Sequence, residues 1–414
     1  MARPRLLFLA HCLPSPQDEG VKIRTYNLMR QLSLDFDVRA LCFYRKSGHS
    51  TPESIDRAVA ELSAIASTEA FPIPQEHSAV RTLWDHARSV AQGVPYTHYA
   101  YESIDYSTAL EHALRTFKPD VVHLDSLDLS YYLNALPAAV PVVCGHHNVE
   151  SALLKRRSLS SRGLVRFYLG LQARLLSRAE HLWMKTFSLN VVVSESDFQT
   201  CSTFCPPERL IVVPNGVDTK LIEALPDAQD GIVFVGGSSW FPNKDALDFY
   251  CKDILPHIRA EIPDVSTTWV GNASASEIVR IKATYGVELT GYVDSIEPYV
   301  NRAGCYVVPL RVGGGTRLKI LYAWAMRRAV VSTSIGCEGL ESRDNENILI
   351  RDHPESFAKA VVGILRDAAQ RNSIAEAGRE TACTVYDWDV VGGKLREAYR
   401  TLVNGSSENP RRER

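Results

Sequence analysis

Short apolar runs alternate with longer segments of helical periodicity along most of the chain. Runs such as LLFLA, IVFV and CYVV are apolar throughout instead of alternating with polar residues. Strands of this kind are typical of a parallel sheet that helices cover on both faces. Between the strands, the spacing predicts helices over 21–34 and 245–259 and one long helical region over 149–185. The pattern therefore predicts an α/β protein with doubly wound sheets.

The alternation falls into two series, which a polar segment containing proline, LIEALPDAQDG, separates. A chain of 414 residues is also too long for one ordinary domain. We therefore predict two doubly wound α/β domains, at 1–222 and 231–385, followed by a final helix at 386–404 and a disordered tail at 405–414. The expected ligand site is a cleft between the two domains.

A glycine-rich loop stands out in the second series. The apolar strand Cys305–Leu310 leads into it, and a helix is predicted to begin just after it. Glycines allow a ligand to approach the backbone closely, and a helix N-terminus favours an anion. The residues concerned are Gly313, Gly314, Gly315, Thr316, Arg317 and Lys319. The loop therefore predicts a phosphate site with two cations on the first helical turn.

Gly20 has a similar position in the first series. It follows the first strand and precedes a predicted helix, which carries Lys22 and Arg24 on its first turn. This position also suits an anion. An ordinary turn with solvated charges explains the spacing equally well.

Polar residues also follow several predicted strands. In a parallel sheet, functional residues belong at the carboxyl ends of the strands. The residues in such positions are His11, Asp125, His146, His147, Ser194 and Asn215. Asp125 and Glu338 are the strand-end carboxylates to test for a catalytic role, although each is more often a loop residue with a structural partner.

Composition limits the partners and the cellular compartment that are expected for the protein. A net charge of −2 gives no argument for a nucleic-acid partner, and no apolar run reaches the roughly 18 residues of a membrane span. The N-terminal MARPRLLFLAHCLPSP lacks a small-residue cleavage site, so we interpret it as a first buried strand and not as a signal peptide. The nine cysteines are scattered and odd in number, which favours a reduced, cytoplasmic protein.

Several motifs, taken in order, resemble one family. They are LFLAHCLPSPQDEGVKIRTYNLMRQL, HHNVES, VVSESD and VPNGVD, then FVGGSSWFPNKDAL and VELTGYVDSIEPYVNRAGCYVVPLRVGGGTRLKIL. Over about Arg5 to Val403 the chain resembles the retaining GT-B glycosyltransferases of the family-four type (glycosyl transferases group 1). Within these it resembles the bacterial subgroup linked to exopolysaccharide and PEP-CTERM surface-protein systems. The resemblance implies two Rossmann-like domains, an acceptor-side one and a nucleotide-sugar-binding one, and a final helix that crosses back to the first.

The resemblance also implies roles at single positions. His147 matches a strand-end histidine near the transferred sugar, and His146 is the neighbouring candidate. Gly20 matches a loop near the donor diphosphate or the acceptor, and Lys244 falls close to a phosphate-binding cation. The matches to the phosphate-binding loop are Gly314, Gly315, Thr316, Arg317 and Lys319. The implied substrates are a UDP- or GDP-linked sugar and a glycan or lipid-linked acceptor.

Two positions depart from the family pattern. Tyr322 stands where many relatives have a Glu that accepts hydrogen bonds from ribose, and Arg327 stands where they typically have Gly. A phenol can also bond a hydroxyl, but losing a charge-assisted hydrogen bond costs about 1.5–3 kcal/mol. Two hypotheses follow: an active hexosyltransferase, or a catalytically weakened GT-B protein that acts as a non-enzymatic partner in the same pathway. A dinucleotide oxidoreductase is disfavoured because Gly-x-Gly-x-x-Gly does not follow the first strand.

No metal is expected to take part. Asp35-Phe-Asp37 and Asp387-Trp-Asp389 have the spacing of a metal-binding Asp-x-Asp motif, but the first opens a predicted strand and the second caps a predicted helix. Cations and backbone N–H groups must then stabilise the leaving diphosphate. Retention needs either a carboxylate nucleophile or a front-face path in which the leaving phosphate helps to deprotonate the acceptor.

The segment 155–178 is basic and amphipathic. It contains seven Lys and Arg residues with leucines and aromatic residues between them. Such a segment either contacts an anionic membrane from the cytoplasmic side or packs on the N-terminal domain with its charges solvated. A peripheral membrane contact would suit a lipid-linked acceptor.

Overall fold

A computed structural model describes residues 3–224, 231–313 and 317–407 of the chain. The chain divides into two compact units. The first contains the chain up to Pro214 together with the residues from Gly392 onward, and the second is Asn215–Val391. The first unit therefore includes most of the last helix as well as the N-terminal half of the chain.

A parallel sheet forms the centre of the first unit. Its strands are β1 (Arg5–Ala10), β2 (Asp37–Tyr44), β3 (Ser67–Pro72), β4 (Val121–Leu124), β5 (Val142–Gly145), β6 (Leu189–Val192) and β7 (Leu210–Val212). They lie in the order β3-β2-β1-β4-β5-β6-β7. Leu6 of β1 lies opposite Val38 on one side and Val121 on the other. The strand order reverses between β1 and β4, and a ligand site is expected at the carboxyl ends of strands at such a point.

Helices cover this sheet, and several begin at a hydroxyl cap that the sequence supplies. They are α1 (Gly20–Ser33), α2 (Pro52–Leu62), α3 (Ala79–Gln92), α4 (Thr97–Ala100), α5 (Ile104–Thr116), α6 (Glu150–Ser160), α7 (Gly163–Trp183) and α8 (Glu195–Ser202). Short 3₁₀ helices lie at Pro74–His77, Leu127–Ala135 and Pro207–Arg209. Ser103 caps α5 and Ser194 caps α8, each accepting a hydrogen bond from a backbone N–H of the first turn.

The prediction of one long helical region over 149–185 is wrong in one respect. The segment is two helices, α6 and α7, which Ser161 and Arg162 separate in extended conformation. Gly163 has φ = 58°, in the left-handed region that favours glycine. The break turns the chain so that α7 packs against α6. Ser158 Oγ donates a hydrogen bond to Arg166 O across the break at 3.0 Å.

A second parallel sheet forms the centre of the second unit. Its strands are β8 (Ile232–Val235), β9 (Thr267–Val270), β10 (Glu288–Leu289), β11 (Cys305–Val308), β12 (Val330–Ser332) and β13 (Leu349–Ile350). They lie in the order β10-β9-β8-β11-β12-β13. The order reverses between β8 and β11, so their carboxyl ends mark the expected ligand position in this unit. Trp269 stacks on Phe234 in the core, with ring centroids 3.8 Å apart.

The helices of the second unit are α9 (Phe241–Phe249), α10 (Leu255–Glu261), α11 (Ala275–Tyr285), α12 (Glu297–Arg302), α13 (Leu318–Ala325), α14 (Pro354–Arg366) and α15 (Ala368–Val385). A π-helical segment, Tyr250–Ile254, joins α9 to α10. Pro256 lies on the first turn of α10 and has no N–H to donate backward, so regular α-helical bonding cannot continue through this point. The predicted helix over 245–259 is therefore a longer run with a π-helical segment inside it.

The last helix is α16 (Trp388–Ser407), and Asp387 directly precedes it. Asp387 accepts a hydrogen bond from the N–H of Asp389 at 2.8 Å, which confirms the predicted cap. Asp37 opens β2, which confirms the other structural prediction, while Asp35 pairs with Arg400 of α16 at 2.6 Å. The helix runs to Ser407, further than the predicted tail boundary at 405, and 408–414 lie outside the described residues. Among the described helices, none has the length and apolar character that crossing a bilayer requires.

Candidate functional site

A buried carboxylate, Asp125, lies at the centre of a polar cluster in the first unit. It follows β4 and is fully buried. Thr25 Oγ1 donates to its Oδ2 at 2.6 Å, and His11 Nδ1 and His147 Nε2 each lie 3.5 Å from the same oxygen. His123 Nε2 lies 3.5 Å from Oδ1. The cluster forms because β1, β4 and β5 are neighbours at the point where the strand order reverses.

Asp125 is ionised in this setting. Burial alone would raise the pKa of its carboxyl group, but the charge of His147 and the imidazoles of His11, His123 and His147 around the carboxylate hold that pKa well below its ordinary value. Its oxygens are enclosed and already have donors. Asp125 is therefore suited to orienting the neighbouring side chains and not to attacking a sugar.

The tautomer of His147 follows from a backbone contact. Its Nε2 lies 2.9 Å from the carbonyl oxygen of Asp125. A carbonyl oxygen only accepts, so Nε2 carries the hydrogen and Nδ1 is the acceptor in the neutral ring. Burial lowers the pKa of His147, and the nearby Asp125 charge opposes that shift only in part. The neutral form is thus favoured near pH 7, and it offers an acceptor that suits a hydroxyl group.

The pKa of His11 is shifted in the opposite direction to that of His147. Burial lowers the pKa of its imidazole, but the Asp125 carboxylate, 3.5 Å from Nδ1, outweighs burial, and the net pKa is raised. Its ring meets the ring of His147 edge-on, with centroids 5.0 Å apart. The cluster therefore places an easily protonated imidazole beside a neutral one.

The same three residues also have the spacing of a metal site. The ligand atoms of His11, Asp125 and His147 all lie within 4.8 Å of one another. In the neutral His147, Nε2–H stays bonded to Asp125 O and Nδ1 is the nitrogen available to a metal or to another donor. In the described structure the carboxylate instead accepts a hydrogen bond from Thr25 Oγ1 at 2.6 Å and has the two imidazoles 3.5 Å away.

His146, the neighbouring candidate, contacts a different strand. Its Nε2 lies 3.0 Å from Asn190 Oδ1 on β6, and burial lowers its pKa to about 4. A buried, neutral histidine that bridges β5 and β6 has a clear structural role. Its hydrogen bond goes to Asn190 and not to Asp125.

The start of α1 contributes buried cations. Gly20 opens α1 and is exposed. Lys22 is buried and pairs with Asp18 at 2.7 Å, and Arg24 is buried and donates to Val213 O at 2.9 Å. The alternative that these are solvated surface charges is therefore wrong for Lys22 and Arg24.

In the second unit, Lys319 lies between the elements that follow β8 and β11. Its Nζ donates to Asn243 Oδ1 at 2.8 Å and lies 4.1 Å from the centre of the Phe234 ring. The side chain is partly buried, and burial, followed by the charge of Arg317, lowers the pKa of the amine to about 7. No carboxylate is within ion-pair distance of Lys319 in the described residues. The ammonium ion therefore lacks an acidic partner among those residues.

The backbone beside Lys319 requires a glycine at position 236. Gly236, with φ = 154°, follows β8, and a Cβ there would lie 2.6 Å from Asn243 Nδ2 and 2.9 Å from Lys319 Nζ. Asn243 also donates to Gly237 O at 2.9 Å, which fixes its amide. Lys244, the cation predicted here, is exposed on α9. Its role as a phosphate ligand stays a prediction.

Arg317 anchors the loop that follows β12 through hydrogen bonds. Its side chain is 4% exposed, and its Nε and Nη2 donate to Ile335 O at 3.3 and 3.1 Å. Its Nη2 also lies 3.9 Å from Glu338 Oε2. The structure thus brings Arg317, Lys319 and Glu338 into one neighbourhood. Glu338 is half-exposed there as the partner of Arg317.

Comparison with known families covers both units. Residues 19–221 match a family profile described as Glycosyltransferase Family 4, and residues 229–367 match one described as Glycosyl transferases group 1. The chain is a group 1 glycosyltransferase. This assignment agrees with the resemblance that the motifs indicate.

Individual relatives of this glycosyltransferase are distant. An uncharacterized 44.6 kDa protein in the cps region of Klebsiella pneumoniae is 27% identical over 152 residues, which are 35% of this chain and 39% of that protein. Sucrose-phosphate synthase from Thermosynechococcus elongatus has a TM-score of 0.72 at 16% identity, over 97% of this chain and 100% of that one. HepE of Anabaena, solved with UDP-glucose, has a TM-score of 0.65 at 14% identity, over 96% and 99%. These likenesses confirm the predicted GT-B fold of two Rossmann-like domains.

The structure shows what surrounds Tyr322 and Arg327, the two residues that depart from the family pattern. Tyr322 is partly buried on α13, against the core of its unit. Burial raises the pKa of its phenol, and the charges of Glu297 and Asp218 raise it further. Arg327 has φ = 57°, in the left-handed region that favours glycine. Its Nε bonds Glu376 Oε2.

Part of the predicted site cannot be placed, and part was missed. Gly314, Gly315 and Thr316 lie outside the described residues, so their role stays a prediction. Sequence reasoning missed Thr25 and Asn243 as partners of Asp125 and Lys319. The motif FPNK did contain a signal, since Asn243 precedes the predicted cation Lys244. Thr25 gave none beyond its place on the inner face of α1.

Proposed function

We propose that this glycosyltransferase is a metal-independent hexosyltransferase. It moves a sugar, with retention, from a UDP- or GDP-linked donor to a glycan or lipid-linked acceptor in polysaccharide or glycoconjugate biosynthesis. The observation that carries the proposal is Lys319, a partly buried ammonium group at the strand-order reversal of the second sheet. Asn243 and Phe234 hold it there without an acidic partner in the described residues. Such a group suits the leaving diphosphate.

Residues of both units have a proposed part in this reaction. Lys319 contacts the diphosphate, and Arg317 holds the loop after β12 in place beside it. The backbone N–H groups of the glycine loop, Gly314 to Thr316, complete the phosphate contacts that the sequence predicts. In the first unit, His147 accepts a hydrogen bond from a sugar hydroxyl through Nδ1, and Asp125 fixes the ring that does so.

Two observations bear on the acceptor and on the cellular setting. The relative in the cps region of Klebsiella pneumoniae suggests polysaccharide synthesis. The exposed cations of α6 and α7 support a peripheral contact with an anionic membrane on the cytoplasmic side. Both statements are proposals for this chain.

A donor screen tests the proposal directly. Isothermal titration with a panel of UDP- and GDP-sugars is expected to give binding with at least one of them. The variant Arg317→Ala with Lys319→Ala should then lose donor turnover while its circular dichroism spectrum stays that of the wild type. Lys282→Ala, an exposed lysine on α11, is the matched control. If no donor binds, the alternative of a non-enzymatic partner replaces this proposal, and wild-type turnover in the double variant would remove the phosphate-site assignment.

A further inference from the structure

A groove runs along the outer face of α7 in the first unit. It has a volume of about 720 Å³, and α6, α7 and the end of α8 form its walls. Arg166, Gly170, Arg174, Ser177 and His181 line it at successive turns of α7. A second cavity of about 430 Å³ shares Ser177 and His181, so the two are continuous along the helix. The volume is in the range of sites that hold small molecules.

The floor of this α7 groove is apolar. Leu159, Phe167, Leu171 and Phe204 line it, and Leu159 and Phe167 are 61% and 75% exposed. The ring of His181 stacks on Phe204 at 3.9 Å between centroids and closes the side next to α8. Exposed side chains of this size at one groove indicate an apolar ligand.

The rim of the α7 groove is cationic. Lys155, Arg166 and Arg174 are exposed, and within 3–224, 231–313 and 317–407 no carboxylate lies at ion-pair distance from any of them. The lining contains one acidic residue, Glu180, whose oxygens accept hydrogen bonds from the N–H and Oγ of Ser151. The groove therefore combines a hydrocarbon floor with unneutralised positive charge.

The hydroxyl groups of the groove are poor partners for a sugar. Those of Ser158, Thr200 and Thr203 each donate to a carbonyl oxygen of the protein. The groove thus offers cations and hydrocarbon to a ligand, and few free hydrogen-bonding groups of other kinds. A ligand with a hydrocarbon chain and a phosphate matches both features, and a free glycan matches neither.

The dimensions fit one hydrocarbon chain. Arg166 and His181 are separated by fifteen positions of α7, which is about 22 Å at the rise of an α-helix. One leaflet of a bilayer is about 15 Å deep in its hydrocarbon part. Val149, two positions after His147 in the chain, lines the groove at its His181 end, because Ser151 bonds Glu180 whereas Ser158 bonds Arg166. The His181 end of the groove is therefore the end near the proposed sugar site.

We propose that the α7 groove binds the lipid phosphate of a membrane-borne acceptor. The phosphate lies at Lys155 and Arg174, and the chain runs along Leu171 and Phe167 towards Arg166. The inference rests on the proposed function, since it names the acceptor class of that same reaction. It commits to a single lipid molecule that enters the groove, and not to general adhesion on a charged bilayer.

Titration of the full chain with dodecyl phosphate tests the groove. Dodecanol and inorganic phosphate supply the two halves of that ligand, and each should bind at least tenfold more weakly than the whole. Lys155→Glu with Arg174→Glu, and separately Phe167→Ser, should each weaken dodecyl phosphate binding at least tenfold. Lys282→Glu with Lys359→Glu, on exposed positions of the second unit, is the charge-matched control and should bind as the wild type does.

Three results would overturn the inference. The first is inorganic phosphate binding as tightly as dodecyl phosphate, and the second is the control losing as much affinity as the groove variant. The third is binding to phosphatidylcholine vesicles doped with phosphatidylglycerol but not to dodecyl phosphate, which would leave only bilayer adhesion. Donor titration on the same proteins separates the two proposals. If donor binds and lipid does not, the groove assignment alone fails; if lipid binds and no donor does, the proposed function fails.

Discussion

Donor affinity should fall as the pH rises through the pKa of Lys319. Burial, and then the charge of Arg317, lower the pKa of this amine to about 7. Only the protonated amine attracts a diphosphate strongly. In the ligand-free protein the competent fraction is then about nine tenths at pH 6 and about one tenth at pH 8. Because the apparent Kd equals the intrinsic Kd divided by that fraction, it should rise about tenfold between these pH values.

Isothermal titration at several pH values measures this effect. The ligand should be a nucleotide sugar and not free UDP, because a terminal phosphate itself titrates near pH 6. At pH 7, binding should take up about half a proton, which buffers of different ionisation enthalpy reveal. Lys319→Arg is the matched control, since its guanidinium keeps its charge at every pH used and its Kd should stay nearly flat. A flat wild-type Kd without proton uptake would refute the reasoning.

The lowered pKa of Lys319 also makes the stability of the folded protein depend on pH. The pKa of Lys319 is lowered in the folded protein, so between about pH 7 and the ordinary lysine value of 10.5 the unfolded chain binds more protons. The contribution of Lys319 to the free energy of unfolding therefore increases as the pH rises through this window. Urea unfolding of the wild type and of Lys319→Met, compared at pH 7 and pH 9, isolates it. The difference between the two proteins should shift in favour of the wild type at pH 9.

Three further variants test other parts of the structure. Asp125→Asn should lower the free energy of unfolding, measured in urea, by about 3 kcal/mol, because the buried donors around the carboxylate lose their charged partner. A change under about 1 kcal/mol would show that the carboxylate does not stabilise the cluster around it. Arg327→Gly should leave the free energy of unfolding unchanged or raise it by about 1 kcal/mol, because glycine relieves the left-handed backbone while the ion pair with Glu376 is lost. A lower melting temperature of this variant would contradict strain at this position. Tyr322→Phe should weaken donor binding about two- to tenfold in titration if its phenol bonds the ribose, and unchanged affinity would show that it does not.

Local features of the sequence determined much of the architecture. Continuous apolar runs identify buried parallel strands, because a strand covered on both faces has no polar side. The glycine loop before Lys319 and the histidines after β5 are also local signals. The points at which helices are interrupted could not be predicted in the same way. Gly163 and Pro256 were visible in the sequence, yet the break at 161–162 and the π segment depend on how each helix meets its neighbours.

The partners within each site were decided by tertiary structure alone. His11, Asp125 and His147 follow three strands that are far apart in the chain, and they meet only because β1, β4 and β5 are adjacent in the sheet. Strand order depends on crossover connections between distant segments, which periodicity does not record. In the same way, Lys319 meets Asn243 because β8 and β11 are neighbours. The sequence by itself thus determined the strands, the helices and the residue types at their ends, and the packing of distant segments decided which of those residues share a site.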